Sequence, residues 1–371
     1  MKAVGLVVEY NPFHNGHKYH AEESKKATGA DLAVAVMSGS FLQRGEPALV
    51  DKWTRASMAL QSGVDLIIEL PYVFSTQHAK HFAAGSIALL EALRCDSFCF
   101  GSENGTIDHF LAIHNQLESI GSPLQEEIIR HSRQGNSYPK SVSLALQSLG
   151  IKNDGMDLSK PNNILGLQYV TAALNNAYRI KPALIGRINN DYHDTELPTG
   201  EIASATSIRR ALMNEGQKMQ ACADFIPQAT LEALDTYKNT NKVLHHWEQY
   251  WPLLKYKLLT TSEEKLTAIY EVEEGIQHRL KKAAMETDCF AAFMDQVKTK
   301  RYTWTRIQRI CVHILMDAGK EEIKSLISSP AYIRVLGFTG KGRAYLKEMK
   351  KEITLPVITR AAGLQNNALA L

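Results

Sequence analysis

Val4-Gly5-Leu6-Val7-Val8-Glu9-Tyr10-Asn11-Pro12-Phe13-His14-Asn15-Gly16-His17 decides how the rest of the chain is read. An apolar run of the kind that forms a buried strand passes through a turn. It then delivers two histidines to the predicted first turn of a helix. In an H-x-G-H element of this kind, glycine lets the backbone approach a phosphate closely. The helix N-terminus adds N–H groups and a partial positive charge for an anion. His14 and His17 are three apart, share a helix face and can converge on one polyphosphate.

The pattern extends outward. Apolar runs recur at Ala3–Val8, Leu32–Met37, Val64–Leu70, Ser97–Phe100 and Ala183–Ile188. Helical patterns lie between them at Lys18–Ala27, Lys52–Gln61, Ala79–Leu93 and Ile164–Asn176. Strand and helix in alternation predict an α/β fold of Rossmann-like type, a parallel sheet with helices on both faces. The strands run into Asn11-Pro12, Ser38-Gly39, Gly101-Ser102 and Gly186-Arg187. In open α/β sheets the ligand crevice lies beyond such carboxyl ends. After about Asn214 the strand signals fade. Leu231–Tyr237, Val243–Leu259, Glu263–Ala284, Cys289–Gln296, Arg306–Ala318 and Tyr345–Glu352 read as helices, and Gly337, Gly340 and Gly342 mark a basic loop. The expected division is an α/β domain over 1–220 and a mainly α-helical, basic domain over 221–371.

Composition fits a soluble protein: 371 residues, 44% hydrophobic and 22% charged. No uninterrupted apolar run approaches the roughly 18 residues of a membrane span. The first strand begins at once, with no secretory pattern before it, so a cytoplasmic location is expected. Five cysteines, an odd number, sit in or beside apolar runs and read as reduced thiols. Cys95 and Cys99 have no second pair nearby, so no metal site is expected there. The net charge of +3 conceals an asymmetry. Between Arg279 and Arg360 there are 17 Lys and Arg against 8 Asp and Glu, whereas the remainder carries 25 against 31. A basic end on a mildly acidic body predicts a polyanionic partner. Lys298, Lys300, Arg301, Tyr302, Trp304, Arg306 and Arg309 interleave cations with aromatics, as expected for backbone contact and base stacking on RNA. Lys341 and Arg343 extend that surface, while Tyr302 and Trp304 have an alternative reading as core residues at a helix start.

A second motif is Ala203-Ser204-Ala205-Thr206-Ser207-Ile208-Arg209. Hydroxyls opening a helix either cap it or bind phosphate, and Arg209 can reach the same oxyanions or stand in solvent. Paired with His14–His17, it resembles the nucleotidyltransferase superfamily, whose members carry (H/T)-x-G-H after the first strand and I-S-S-T-x-x-R later. Ser204, Thr206 and Arg209 match, whereas Ala203 and Ala205 depart from that pattern. Further blocks are Ser38–Ala48, Phe100–Glu103, Pro161–Gly166 and Gly186-Arg187-Ile188. With them, the chain resembles the bacterial tRNA(Met) cytidine acetate ligase family over essentially its whole length.

That resemblance implies a nucleotidyltransferase domain that activates acetate with ATP as acetyl-adenylate. It then passes the acetyl group to the exocyclic amine of the wobble cytidine of elongator tRNA(Met), giving N4-acetylcytidine. It implies catalytic roles for His14, His17, Arg209, Ser204 and Thr206. The implied ATP site comprises Val7, Val8, Glu9, Tyr10, Asn11, Pro12, Phe13, His14, Asn15, Gly16, His17, Lys18, Tyr19 and His20, with Gly101, Asn162, Arg187 and Ile188. Magnesium is expected with the ATP, its ligands unassigned. Gln43 and Arg44, in the loop over the crevice, are expected to hold acetate or the cytidine. Arg187 also reads as one half of a surface ion pair. Asp191, His193 and Glu201 are candidates for a base. Two other classes remain open: a small-molecule adenylyltransferase, and a non-catalytic RNA-binding protein with this fold. A class I aminoacyl-tRNA synthetase shares the H-x-G-H element, but no K-M-S-K-type loop is present.

Overall fold

The computed structural model describes residues 1–136, 138–151, 156–158, 160–186, 202–213 and 219–360. Its strands are β1 (Ala3–Val8), β2 (Leu32–Ser38), β3 (Leu66–Leu70), β4 (Ser97–Ser102), β5 (Lys181–Gly186), β6 (Ile333–Phe338) and β7 (Val357–Ile358). They form one sheet in the order β5-β4-β1-β2-β3-β6-β7. The first five pair in parallel, as the alternation predicts. β1 lies between β2 and β4, so successive connections turn in opposite directions there, which opens a crevice beyond its carboxyl end.

β1 and β2 are apolar at nearly every position because both faces of the sheet are covered. Alternate residues of β2 go to different cores. Leu32, Val34 and Val36 pack with Ile87, Leu90, Ile164 and Leu167, whereas Ala33, Ala35 and Met37 face Ala21, Met58, Ile208 and Leu234. Gly5 is required by the first core: a Cβ there would lie 2.6 Å from the Leu90 side chain. A third core belongs to the helical part, where Trp247 stacks on Phe290 with centroids 4.5 Å apart and Trp251 leans on Phe293.

The C-terminal stretch departs from expectation. Gly337 lies in β6, and Gly340 and Gly342 open the Gly340–Glu348 helix, so the anticipated basic loop is regular structure. β6 pairs antiparallel with β3, matching Arg334 to Glu69 and Gly337 to Ile67. The sheet is therefore mixed, and the helical run after residue 221 ends by returning to it. Burial of Ile333, Val335 and Leu336 drives that return, and Gly337 leaves the space that Leu60 fills. The single helix expected over 263–284 is two, Glu263–Thr267 and Ile276–Glu286. Between them Glu271, Glu274 and Gly275 take left-handed φ values of 61°, 53° and 78°, which no helix accommodates. Three helices without a clear sequence signal, Ile107–Ile120, Ser122–Arg133 and Tyr138–Ser148, fill the connection from β4 toward β5. Among the described residues no helix is long and apolar enough to cross a membrane.

Candidate active site

Beyond β1 the chain turns through Tyr10, a buried residue at φ 50°. Such a conformation costs a non-glycine residue on the order of 1 kcal/mol or more. Packing against Phe13 and His17, at 4.7 and 4.9 Å between centroids, holds it there. The turn makes His14 the N-cap of the Asn15–Thr28 helix. Gly16 N donates to His14 Nδ1 at 3.1 Å, and His14 N donates to His17 Nδ1 at 3.3 Å. The two rings lie 3.7 Å apart and 30° from parallel. Since each Nδ1 accepts a backbone proton, the hydrogen-bond network assigns the ring proton of both histidines to Nε2. Two Nε2–H donors thus stand side by side at one helix terminus.

The glycine of the motif serves this cap. A Cβ on Gly16 would come within 2.9 Å of His14 Cε1. The terminus itself is less open than expected: Asn15 N donates to Phe225 O at 2.9 Å, and His17 N to His14 O at 2.8 Å. Asn15 Nδ2 adds a bond to Asp224 O. An anion arriving here is therefore met first by imidazoles and by the helix dipole, not by bare amides.

The second motif reaches the same turn. Ser204 Oγ accepts Ser207 N at 3.0 Å, so this hydroxyl caps the Ala205–Met213 helix, with Thr206 in its first turn. One turn on, Arg209 Nη1 donates to Asn11 O at 3.0 Å, and Nη2 pairs with Glu46 Oε2 at 3.2 Å. Arg209 thus joins the turn before His14 to the loop after β2. The Asn11 side chain accepts Leu49 N at 2.7 Å, closing the same loop from its other end.

That loop carries Gln43 and Arg44. Gln43 N donates to Glu9 Oε1 at 2.8 Å, and Leu42 N to Glu46 O at 2.9 Å. Gly45 sits at φ 76° against the Trp304–Leu315 helix, where a Cβ would lie 2.4 Å from Arg309 N. Trp247 Nε1 donates to Gly45 O at 2.9 Å. The crevice loop is therefore held between the sheet and the helical part. Burial pushes the Glu9 carboxyl above its usual range, with Glu46 adding, while the Gln43 amide and the cations Arg44 and Arg209 oppose. Beneath the loop, the fully buried Arg55 donates to Glu9 O, Ser38 O, Val50 O and Gly39 O. Burial lowers its guanidinium to about 10. Sequence reasoning missed Arg55; its place in an amphipathic helix gave no sign that its head turns inward to stitch β1 to β2.

Other expected ATP-site residues lie on β4 and on the helices beside it. Gly101 lies in β4 opposite Ile185. Asn162 is bound by Glu103, whose carboxylate also accepts Asn163 N at 3.1 Å and so fills the N-terminus of the Pro161–Asn175 helix. The neighbouring Asn163, a second residue that sequence reasoning missed, is fully buried. Its Oδ1 accepts from Ser102 Oγ and Glu103 N, and its Nδ2 donates to Asn104 and Asp157 O. His20 Nε2 bonds Cys99 O at 3.2 Å, joining its helix to β4. Arg187, Ile188, Asp191, His193 and Glu201 lie outside the described residues.

Of the residues expected to meet RNA, Lys298, Lys300 and Arg301 are exposed. Lys300 and Arg301, with Arg279 and Tyr302, help to line a cavity of about 340 Å³. Tyr302 is buried, its hydroxyl donating to Glu273 O at 2.6 Å. The Arg306 guanidinium lies 4.3 Å over the Tyr302 ring and pairs with Glu273. Trp304 is exposed at its helix start. Arg309 is a correction: it forms a two-armed pair with Glu271, the side chains 12% and 11% exposed, and is unavailable to a phosphate. Burial alone would raise the Glu271 carboxyl, yet Arg309, His313 and His78 hold it below its usual range. Lys341 and Arg343 are not brought to this surface. Lys341 Nζ reaches Asp31 O, just before β2, and Thr339 N reaches Asp65 O, just before β3, at the amino edge of the sheet.

The family model described as HIGH Nucleotidyl Transferase matches residues 1–371. The chain is 48% identical over 373 residues to the tRNA(Met) cytidine acetate ligase of Geobacillus sp. (strain WCH70), covering all of this chain and 91% of that protein. It is 48% identical over 375 residues to the protein of the same name in Bacillus subtilis (strain 168), covering 100% and 90%. It is also similar to the crystal structure of apo Thermotoga maritima TmcAL, at TM-score 0.90 and 34% identity, over 98% of this chain and 86% of that one. The Thermotoga maritima TmcAL structure bound with alpha-thio ATP gives TM-score 0.88 and 33% identity with the same coverage.

Proposed function

The chain belongs to the HIGH nucleotidyl transferase family, and on that footing we propose that it is an ATP-dependent ligase acting on tRNA(Met), which joins acetate to the wobble cytidine. The observation that carries this reading is the meeting of the two motifs. Arg209 donates to Asn11 O across 198 positions of sequence, at the turn that fixes His14 and His17. ATP and acetate are the small substrates, tRNA(Met) is the polyanionic partner, and the cytoplasm is where such a partner is modified.

The reaction has two steps. An acetate oxygen attacks the α-phosphorus of ATP, and the bond to the β-phosphate breaks, giving acetyl-adenylate and pyrophosphate. The cytidine N4 then attacks the acetyl carbon, the C–O bond to AMP breaks, and N4 gives up a proton. In the first step His14 and His17 offer Nε2–H donors, and Arg209 a charged fork, to the pyrophosphate as negative charge builds on it. Preorganised donors of this kind are each worth about 10²–10³ in rate. Gln43 and Arg44 hold acetate or the cytidine where the loop overhangs the crevice. The loop also excludes water from the adenylate, whose hydrolysis is the competing loss. Lys298, Lys300, Arg301, Trp304 and Arg306 receive the RNA.

Magnesium is proposed to arrive on the nucleotide. Among the described residues no three His, Cys, Asp or Glu side chains converge to hold a metal. The carboxylates of Glu9 and Glu46 already accept from Gln43 N and Arg209. These residues do not form a cage for the ion.

The test is exchange of labelled pyrophosphate into ATP, with acetate, other short carboxylates or phosphate metabolites as co-substrate. Labelled acetate is then offered with tRNA(Met). Acetate-dependent exchange and label recovered in N4-acetylcytidine are expected. Exchange with a phosphate metabolite alone would move the assignment to a small-molecule adenylyltransferase.

A further inference from the structure

The four tryptophans divide by exposure. Trp247 and Trp251 are buried at 6% and 3%, whereas Trp304 and Trp53 stand 37% and 47% exposed. Trp304 belongs to the RNA surface proposed above, but Trp53 has no part in it. The groups facing the Trp53 ring are cations: Lys52 Nζ is 5.8 Å and Arg334 Cζ 5.7 Å from its centroid. Both are fixed by one carboxylate, with Lys52 Nζ 2.5 Å from Glu69 Oε1 and Arg334 Nε 3.1 Å from Glu69 Oε2. Glu69 is held in turn by the β3–β6 register, and Gly39 leaves it room, since a Cβ there would meet Oε1 at 2.9 Å. An aromatic ring half in water thus stands against two cations that share one carboxylate, and the three charges sum to a net positive one.

The sheet gives this group an address. Glu69 is the next-to-last residue of β3, and Gly39 follows the end of β2, so both lie on the carboxyl edge that carries His14. The helix Lys52–Gln61 starts on the same edge, capped by Asp51, which accepts Thr54 N. Adjacent strands lie about 4.8 Å apart, which puts β3 roughly 10 Å across the sheet from β1. About three stacked nucleotides, at about 3.4 Å each, cover that distance.

We propose that Trp53, flanked by Lys52 and Arg334, is a stacking platform for an unpaired base of the RNA substrate, close in sequence to the nucleotide that reacts in the crevice. The two cations face the adjoining phosphates. Base-on-aromatic stacking tolerates any base, so the platform positions the strand and does not read it. The proposal rests on the RNA-modifying function above and adds to it a second docking surface, on the sheet itself.

The test uses the full chain and the anticodon stem-loop of elongator tRNA(Met). Trp53→Ala is expected to weaken binding roughly five- to 150-fold, the range measured for loss of one stacked base. Trp53→Phe, which keeps a ring, should stay within about threefold of the original chain, and both variants should melt as the original does. Saturating RNA should also quench a component of tryptophan fluorescence that Trp53→Phe lacks. A folded Trp53→Ala with unaltered affinity, or quenching identical in the original chain and Trp53→Phe, overturns the assignment. Should Trp53→Ala not fold, the fluorescence comparison decides alone. Unaltered RNA affinity together with lost self-association in sedimentation would give this face to a second copy and also overturn it. If the original chain binds neither stem-loop nor tRNA, the RNA-modifying reading itself falls.

Discussion

The basic stretch from Lys298 to Arg306 and the one from Lys341 to Lys351 carry similar charge, yet they stand at opposite edges of the sheet. The first leads into the helix whose backbone presses on Gly45, in the loop over the crevice. The second follows β6, and because β6 runs antiparallel to β3 its end falls at the amino edge, beside Asp31 and Asp65. Their linings differ as well. Tyr302 and Trp304 accompany the first, while Leu346, Ile353 and Leu355 line a cavity of about 800 Å³ next to the second. The direction of a single strand, more than density of charge, decides which basic surface can serve the crevice.

The largest test of this contrast lies at the crevice itself. Arg209→Ala or His17→Ala should lower acetate-dependent pyrophosphate exchange by about 10²–10³ while leaving tRNA affinity within twofold. A matching loss of tRNA affinity would dissolve the distinction between reacting edge and docking surface. Next, alanine at Lys298, Lys300 and Arg301 together should weaken tRNA binding at low salt. The dependence on salt should flatten by about 0.7–0.9 for each phosphate no longer neutralised, with exchange preserved. Arg306 is left in place because it packs on Tyr302. Gly45→Ala should cost at least about 1 kcal/mol in thermal unfolding and also slow exchange, since its φ of 76° and the adjacent helix backbone both resist a side chain. Smallest of all, alanine at Lys341 and Arg343 should leave tRNA affinity and salt slope as they were. An effect equal to that of the first stretch would break the comparison.

A pH measurement sharpens the same boundary from inside. His313, on the helix that presses on Gly45, is buried and shares a 2.7 Å hydrogen bond with Tyr72. Burial lowers its pKa to about 4, with Arg309 adding and Glu271 opposing. An unfolded histidine takes up a proton below about 6.5, whereas this one does not until about 4. The unfolded chain therefore binds more protons across that window, and stability should fall as pH drops through it. His313→Gln should flatten that part of the pH–melting curve. An unchanged slope would put the titrating group elsewhere.

What could be read in advance followed the range of the interactions involved. β1 and β2 are runs of Ala, Val, Leu and Met buried on both sides, so their limits are visible in the sequence almost to the residue. The histidine pair was legible because its spacing is local. β6 was not: Arg334 and Gly337 interrupt its apolar pattern, and its partner β3 lies more than 260 positions away. The break in the 263–284 segment is signalled only by Gly275, since left-handed Glu271 and Glu274 carry no signature of their own. Arg309 misled because a basic residue in a basic segment reads as surface; only the fold shows Glu271 waiting beneath it. Asn162 is expected at a nucleotide; that Glu103, 59 positions earlier, binds its side chain is visible only in the fold.

The position of β6 also bears on synthesis at the ribosome. Phe338 lies 268 positions after Leu70. At about 5–20 residues per second, roughly 13 to 54 s pass between the emergence of β3 and that of the strand that covers it. During that time the nascent sheet presents a bare apolar edge, Leu-Ile-Ile-Glu-Leu, to every other chain nearby. Much of that interval goes to making the helical part. Translation speed through residues 71–332 thus becomes a variable in how much of this protein reaches its folded state.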